Sequence, residues 1–359
     1  MKCLDTLERR AQIPNDLMLK LFKLYESKGQ SFYYKDLFSR DDEVMSRNTL
    51  EQDTQALAHY LDLKLTQPRI KLLSDPKKDF VAKNKDEILL KNLKEILSKI
   101  QTLGETFHLS TNEVKDLALN MSRDYDDIRL IKRNHAKSPR ITDNFDDYPT
   151  EEKLIRLVEA FNKTVRSKKY ETIQIISNFY IDFIKLDLFT EHNELLGLIL
   201  IYTIISSHFK VCRYDSFFKA LLPLKEQFAN AFVQACYNWS EGYSQTEPIS
   251  RIFVSVLDEL HKNVEIKAHE YEFDRKMNKS DSIEGTILKG STTFSKNELR
   301  DKHPYSSDAT INRTLMSMKE RGLIRPLGNG RSAKWQRVAP KNEKFNPQQL
   351  ELFPTSDEE

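Results

Sequence analysis

The stretch Leu195 to Ile205 reads LLGLILIYTII and leaves a helix no polar face. A helix that is apolar all round has to be enclosed by other protein. At about 11 residues it is well short of the roughly 20 that cross a bilayer, so it is a core element and not a membrane span. Ile173 to Phe189, just upstream, is also dominated by apolar and aromatic residues. Together they predict two buried helices joined by a turn at Lys185–Asn193, inside a mainly helical bundle. Only 9 glycines and 12 prolines, against 31% charged residues, agree with long helices and an all-α chain.

The flanking sequence supplies helices that can surround this pair. A helix is expected after Pro14, with Leu17, Leu21 and Leu24 at helical spacing, and another through Leu50, Leu57 and Leu61. The run from Pro68 to Phe80 reads as an extended linker, because of its two prolines and lysine pair. Residues 1–80 are thus an N-terminal helical region, with a winged-helix variant as one way to build it. From Asn84 a long amphipathic helix follows, carrying Leu89, Leu93, Ile96 and Ile100. Ser110 and Glu113 have capping-box spacing. Ile128–Ile131 reads as a short strand or turn, and Asn134–Tyr148 as a polar loop. Pro149 with Glu151 and Glu152 opens the next helix. A long, increasingly polar helix over Ile249–Met277 closes a bundle that spans 84–277.

Residues 283–338 show the most specific local pattern. Ser295 with Glu298, and Ser307, are helix starts, Gly322 is a helix stop, and Gly328-Asn329-Gly330 is a hairpin turn between two short strands. Helix, turn, helix and tight hairpin resemble a winged helix-turn-helix DNA-binding domain. Between Ser295 and Val338 there are ten lysines and arginines against four aspartates and glutamates, in a chain whose net charge is only +2. The second helix offers Thr310, Arg313, Thr314 and Ser317 as its outward, base-reading face. The hairpin offers Arg325, Arg331, Lys334 and Arg337 for phosphates. Gly328 to Arg331 also spells GNGR, which occurs in an enzyme family's phosphate loop, but its place between strands makes it turn chemistry. The acidic tail, 339–359, reads as disordered. Within it Gln349, Leu350, Leu352 and Phe353 belong to QLELF, which resembles the pentapeptide that docks bacterial replication and repair proteins on the sliding DNA clamp.

The order of features from about 84 to 338 resembles the Fic/Doc family, whose active members transfer AMP from ATP to protein hydroxyls. Their buried helix hairpin carries H-P-F-x-D-G-N-G-R-x-x-R in its connecting loop. Asp187 to Leu195 falls on that loop, and Glu105 to Val114 resembles the family's upstream E-G-N-x-L-T-x-x-E-V signature. The resemblance implies a Fic-like bundle with a terminal winged helix. It makes Asp187, Phe189, Glu191 and Asn193 the surviving loop positions, and Glu105 an inhibitory-type glutamate. The departures imply lost chemistry. Asp187 stands for the family's histidine base, and His192 and Glu194 for the glycines that let backbone N–H groups approach phosphate. Leu195 and Leu198 stand for the arginines that neutralise phosphate.

The sequence therefore predicts a DNA-binding regulatory protein with a degenerate Fic-like domain and no cofactor. The rival reading is an adenylyltransferase using ATP and magnesium. A third is a sliding-clamp-associated protein of a mobile element. Duplex DNA is the expected partner, with a homodimer suited to two-fold sites. The eight histidines lack metal-ligand spacing, and His192 beside Glu191, Glu194 and Asp187 is the only grouping of ligand types, in an exposed turn. Three cysteines without disulfide spacing, and an N-terminus without a signal-peptide core, lead us to expect a cytoplasmic protein.

Overall fold

A computed structural model describes residues 2–10, 12–77, 80–132, 148–276, 279–304, 306–328 and 334–338. In chain order the helices begin with α1 (Leu7–Arg10), α2 (Asn15–Gly29), α3 (Ser31–Leu37), α4 (Asp42–Tyr60), α5 (Gln67–Ser74) and α6 (Lys85–Leu103). They continue with α7 (Thr111–Ser122), α8 (Thr150–Ser167), α9 (Thr172–Leu186), α10 (Asn193–His208), α11 (Phe217–Leu221), α12 (Lys225–Cys236) and α13 (Glu247–Lys276). Then come α14 (Lys279–Lys289), β1 (Thr293–Ser295), α15 (Lys296–Lys302), α16 (Asp308–Glu320), β2 (Ile324–Pro326) and β3 (Lys334–Arg337). The protein is all-α apart from this small sheet, as expected. Its chain divides into Met1–Ala268 and His269–Glu359. The expected N-terminal region and bundle therefore form one unit, and no strand occurs among the described residues before Thr293. No helix among the described residues is long and apolar enough to cross a membrane.

In the first unit α9 and α10 form the centre. Every residue of α10 from Leu195 to Ile205 is buried, as is α9 from Ile175 to Ile184. Each fully buried Leu or Ile contributes about 1.5–3 kcal/mol, so this hairpin carries a large share of the apolar burial. The two helices pack closely at Gly197, where an added Cβ would lie 2.5 Å from Ile184 Cδ1 and 3.2 Å from Phe183 Cδ1. A glycine in mid-helix has low propensity, and contact of the helix backbone with α9 is the reason it is here.

The linker expected after Pro68 is instead helical. Proline is acceptable in a first turn, where its missing N–H would have no helical partner, and Pro68 sits there in α5. Capping behaves as the sequence implies. Asn84 accepts from Glu87 N, Ser110 from Glu113 N, Ser295 from Glu298 N and Ser307 from Thr310 N.

Two buried carboxylates tie distant segments to the centre. Asp182 of α9 accepts the backbone N–H groups of Lys2, Cys3 and Leu4 at 2.9–3.1 Å and the Trp239 indole N–H at 2.8 Å. Asp53 of α4 accepts from Ser216 Oγ at 2.6 Å, Tyr202 OH at 3.1 Å and Phe218 N at 3.1 Å. Burial, opposed in part by these hydrogen bonds, pushes the Asp53 carboxyl up to about 7. His261 of α13 is also buried, and both its ring nitrogens are without hydrogen-bond partners. Burial lowers its pKa to about 4.

The second unit packs α14, α15 and α16 around Ile283, Ile287, Phe294, Leu299, Ile311, Leu315, Met318 and Ile324. Its three strands are antiparallel in the order β1-β3-β2, with Phe294 opposite Trp335 and Ile324 opposite Arg337. The sequence reading contained the hairpin but not β1. Gly322 ends α16 with a φ of +71°.

The two buried groups have opposite pH signatures. From about pH 4 to 7 folded Asp53 keeps a proton that the unfolded chain has released, so its contribution falls as pH rises. From about pH 4 to 6.5 the unfolded chain holds the His261 proton instead, so that contribution rises with pH. Asp53→Asn should therefore gain stability relative to wild type between about pH 5 and about pH 8. Urea unfolding at both values checks this, and parallel profiles for the two proteins would remove Asp53 as the titrating group.

Candidate functional site

The α9–α10 turn runs from Asp187 to His192, and both of these residues lie in the left-handed region, with φ of +44° and +56°. Asp, Asn and His tolerate that conformation better than most non-glycine residues. Asn193, the first residue of α10, staples the turn. Its Oδ1 accepts from Phe189 N at 3.0 Å, and its Nδ2 donates at 2.7 Å to both Phe189 O and Asp187 Oδ1. Phe189 is buried beneath the turn, against Phe183. Three of the expected loop positions, Asp187, Phe189 and Asn193, are thus brought together. Glu191 is exposed, without an ion pair among the described residues.

A second segment covers the turn. Leu130 bridges to Phe189, Ile131 N donates to Leu188 O and Thr190 N donates to Arg129 O, both at 2.9 Å. The strand expected at Ile128–Ile131 is realised as this single bridge. His192 Nε2 lies 2.9 Å from Asp126 Oδ2, its ring packs 5.2 Å from that of Tyr125, and Lys85 Nζ holds the other Asp126 oxygen at 2.9 Å. His192 is therefore engaged by Asp126 and not by the glutamates beside it. Among the described residues no cluster of three or more His, Cys, Asp and Glu side chains is placed to hold a metal. Tyr125 and Asp126 were missed as parts of the site, because their only sequence signal was a short strand-like run just after them.

The turn borders an open cleft of about 1300 Å³. Asp62, Asp86, Asp187, Glu191 and Glu194 line it, against Lys64 and Lys185. Asp62 is paired with Lys225. Leu195 and Leu198 are buried in the wall, where they present methyl groups and no positive charge. Burial first, and then the charge of Glu194, push the Tyr60 hydroxyl up to about 12, and burial also raises that of Tyr180. The cleft is consequently apolar at its floor and negative at its rim. Glu105 is not among its lining residues and forms a 2.9 Å ion pair with Lys210.

The second candidate surface lies on α16 and β3. Arg313 and Lys334 are exposed and make no ion pair among the described residues. Thr310 and Ser317 are half-buried, the former hydrogen-bonded to Ser307 Oγ at 2.9 Å. Thr314 has to be corrected. It is 1% exposed and bonded to Ser280 Oγ at 2.9 Å and Thr310 O at 3.0 Å, because it shares the inner stripe with Ile311, Leu315 and Met318. Arg325 stacks its donors on Gln336 Oε1 at 2.7 and 3.0 Å, and Arg337 donates to Leu288 O. Arg331 and the tail positions Gln349, Leu350, Leu352 and Phe353 lie outside the described residues, as does most of the polar loop expected at Asn134–Tyr148.

Two solved structures of Fic proteins are similar to this chain. One similar structure is a Fic family protein from Desulfovibrio desulfuricans G20, with a TM-score of 0.49 and 13% identity, covering 93% of this chain and 98% of that one. Another is a Fic domain containing signaling protein from Bacteroides thetaiotaomicron VPI-5482, with a TM-score of 0.47 and 13% identity, covering 68% of this chain and 98% of that one. No sequence family model matches the chain, and no curated protein matches it.

Removing the Asn193 staple leaves the Phe189 N–H and C=O without their partner. Asn193→Ala should lower the stability of the chain by about 1–3 kcal/mol in urea unfolding. A change under about 0.5 kcal/mol would mean that the bridge to Leu130 holds the turn without it.

Proposed function

We propose that this chain is a DNA-binding regulatory protein whose second unit acts as a winged helix on duplex DNA. Its first unit is then a Fic-like domain that does not transfer nucleotides. The observation that carries the DNA reading is the exposure of Arg313 on α16 and Lys334 on β3, both with unpaired charge among the described residues. Cations left free on a helix and on the adjacent strand suit a groove contact flanked by phosphate contacts. The inner stripe of α16 is fully used in packing, which leaves Arg313, with Asn312 and Ser317, for the outer face. A two-fold DNA site would be read by two copies of the chain.

The absence of transfer is supported by the charge of the cleft. A triphosphate needs donors and cations along its length, and here a carboxylate rim and two buried leucines occupy the wall. Asp187 could accept a proton, but its Oδ1 is engaged by Asn193. The reading makes the first unit a sensing or partner-binding domain.

Fluorescence anisotropy with duplex DNA from upstream of the protein's own gene, beside random duplex, tests the DNA reading. Arg313→Ala should reduce affinity for the upstream duplex by about 1–3 kcal/mol with less effect on random DNA. Lys334→Ala should weaken both duplexes alike and lower the salt slope by about 1. Binding that ignores both salt and these substitutions would reject the proposal. Incubation with labelled ATP should label no protein, and a labelled band would restore the transferase reading.

A further inference from the structure

A second cavity, of about 330 Å³, lies in the first unit between the segment leading into α2, the first half of α9 and the start of α13. It shares no lining residue with the cleft at the α9–α10 turn. Its volume is at the small end of the range of sites that take small organic molecules, about 300–1,000 Å³.

Asn178 of α9 lines this cavity and is 1% exposed. Its Nδ2 donates to Gln174 O at 2.8 Å, which fixes the orientation of the carboxamide. Its Oδ1 is buried without a hydrogen-bond partner. An acceptor removed from water calls for a donor, and protein interiors rarely leave one unmet.

Other amides stand around it. The side chain of Gln174 makes no hydrogen bond among the described residues, and Gln245 Oε1 accepts from Gln234 Nε2 at 2.9 Å. That pairing leaves the Gln245 amide nitrogen and the Gln234 amide oxygen for further bonds.

The charges at the cavity are already engaged. Glu171 caps α9 by accepting from Ile173 N at 2.9 Å and Gln174 N at 2.7 Å, and it also receives the Tyr25 hydroxyl. Glu247 is paired with Arg251. No lysine, arginine or histidine is among the described residues that line it, so these offer a phosphate or a carboxylate no cation. Leu17, Leu21 and Val254 add an apolar side. A lining that combines acceptors and amide donors with aliphatic carbon matches a ring that carries hydroxyls on its edge and C–H groups on its face.

We propose that this cavity binds a neutral hydroxylated ring, a pentose or hexose, free or carried by a nucleoside, with a ligand hydroxyl donating to Asn178 Oδ1. The site is independent of DNA binding and of the α9–α10 turn.

Isothermal titration calorimetry on the full chain tests this with glucose, ribose and adenosine, and with glucose 6-phosphate and adenosine monophosphate as anionic counterparts. At least one neutral compound should bind, with its phosphorylated counterpart at least about tenfold weaker, since the phosphate would be desolvated without a cation. Binding of the free sugars identifies a sugar site, and binding of adenosine alone identifies a nucleoside site. Gln174→Ala alters a half-exposed wall position and should weaken binding by about 3–10-fold while leaving the unfolding midpoint in place. Asn178→Leu should abolish binding, and if that variant does not fold, Gln174→Ala decides alone. No heat from any neutral compound at millimolar concentration overturns the proposal. Equal binding of neutral and phosphorylated forms, or unchanged binding by Gln174→Ala, overturns it as well.

Discussion

A helix without a polar face cannot meet water along any side, and α10 obliges the first unit to close around it. Leu195 to Ile205 are all buried, and α9 approaches α10 so closely that a Cβ at Gly197 would displace the end of the Ile184 side chain. Once this hairpin is enclosed, its turn has to emerge at the edge of the core. The turn can then be shaped only by its own side chains and by whatever segment covers it. Asn193 and the bridge from Leu130 to Phe189 are those two restraints.

Polar groups buried beside the hairpin connect it to remote sequence. Asp182 gathers the backbone of residues 2–4 and Trp239, and Asp53 gathers α10 through Tyr202 and the start of α11 through Ser216 and Phe218. A buried carboxylate is tolerable only where several donors converge on it. These two residues therefore fix where the N-terminal segment and α11 dock as firmly as the apolar contacts do. They also explain why residues 1–80 are not separate from the bundle. Residues 2–4 donate to the first of them, and α4 carries the second.

Charge separates the surfaces by chemistry. The rim of the cleft at the turn is negative, Arg313 on α16 and Lys334 on β3 are exposed cations without ion pairs among the described residues, and the carboxylates of the smaller cavity are engaged by a helix end, a tyrosine hydroxyl and an arginine. On the proposed function, a polyanion would meet the second of these and not the first. The third suits an uncharged ligand.

Much of this was legible in the sequence where the physics is local. The all-round apolar run, the capping serines Ser110, Ser295 and Ser307, the stop at Gly322 and the turn between α9 and α10 are each set by residues close together in the chain, and each is found as expected. What depends on packing was not legible. Pro68 sits in the first turn of a helix, where its missing N–H has no helical partner to lose, and Thr314, on the inner stripe with Ile311, Leu315 and Met318, finds its hydroxyl partner in Ser280 on another helix. Glu105 pairs with Lys210, more than 100 positions away. The grip of Asp126 on His192 and the unmet acceptor of Asn178 arise the same way. Periodicity and caps write the elements into the sequence because their energies act over one or two turns. Which buried polar groups meet, and which are left without a partner, is decided only when distant segments are brought together and water is excluded.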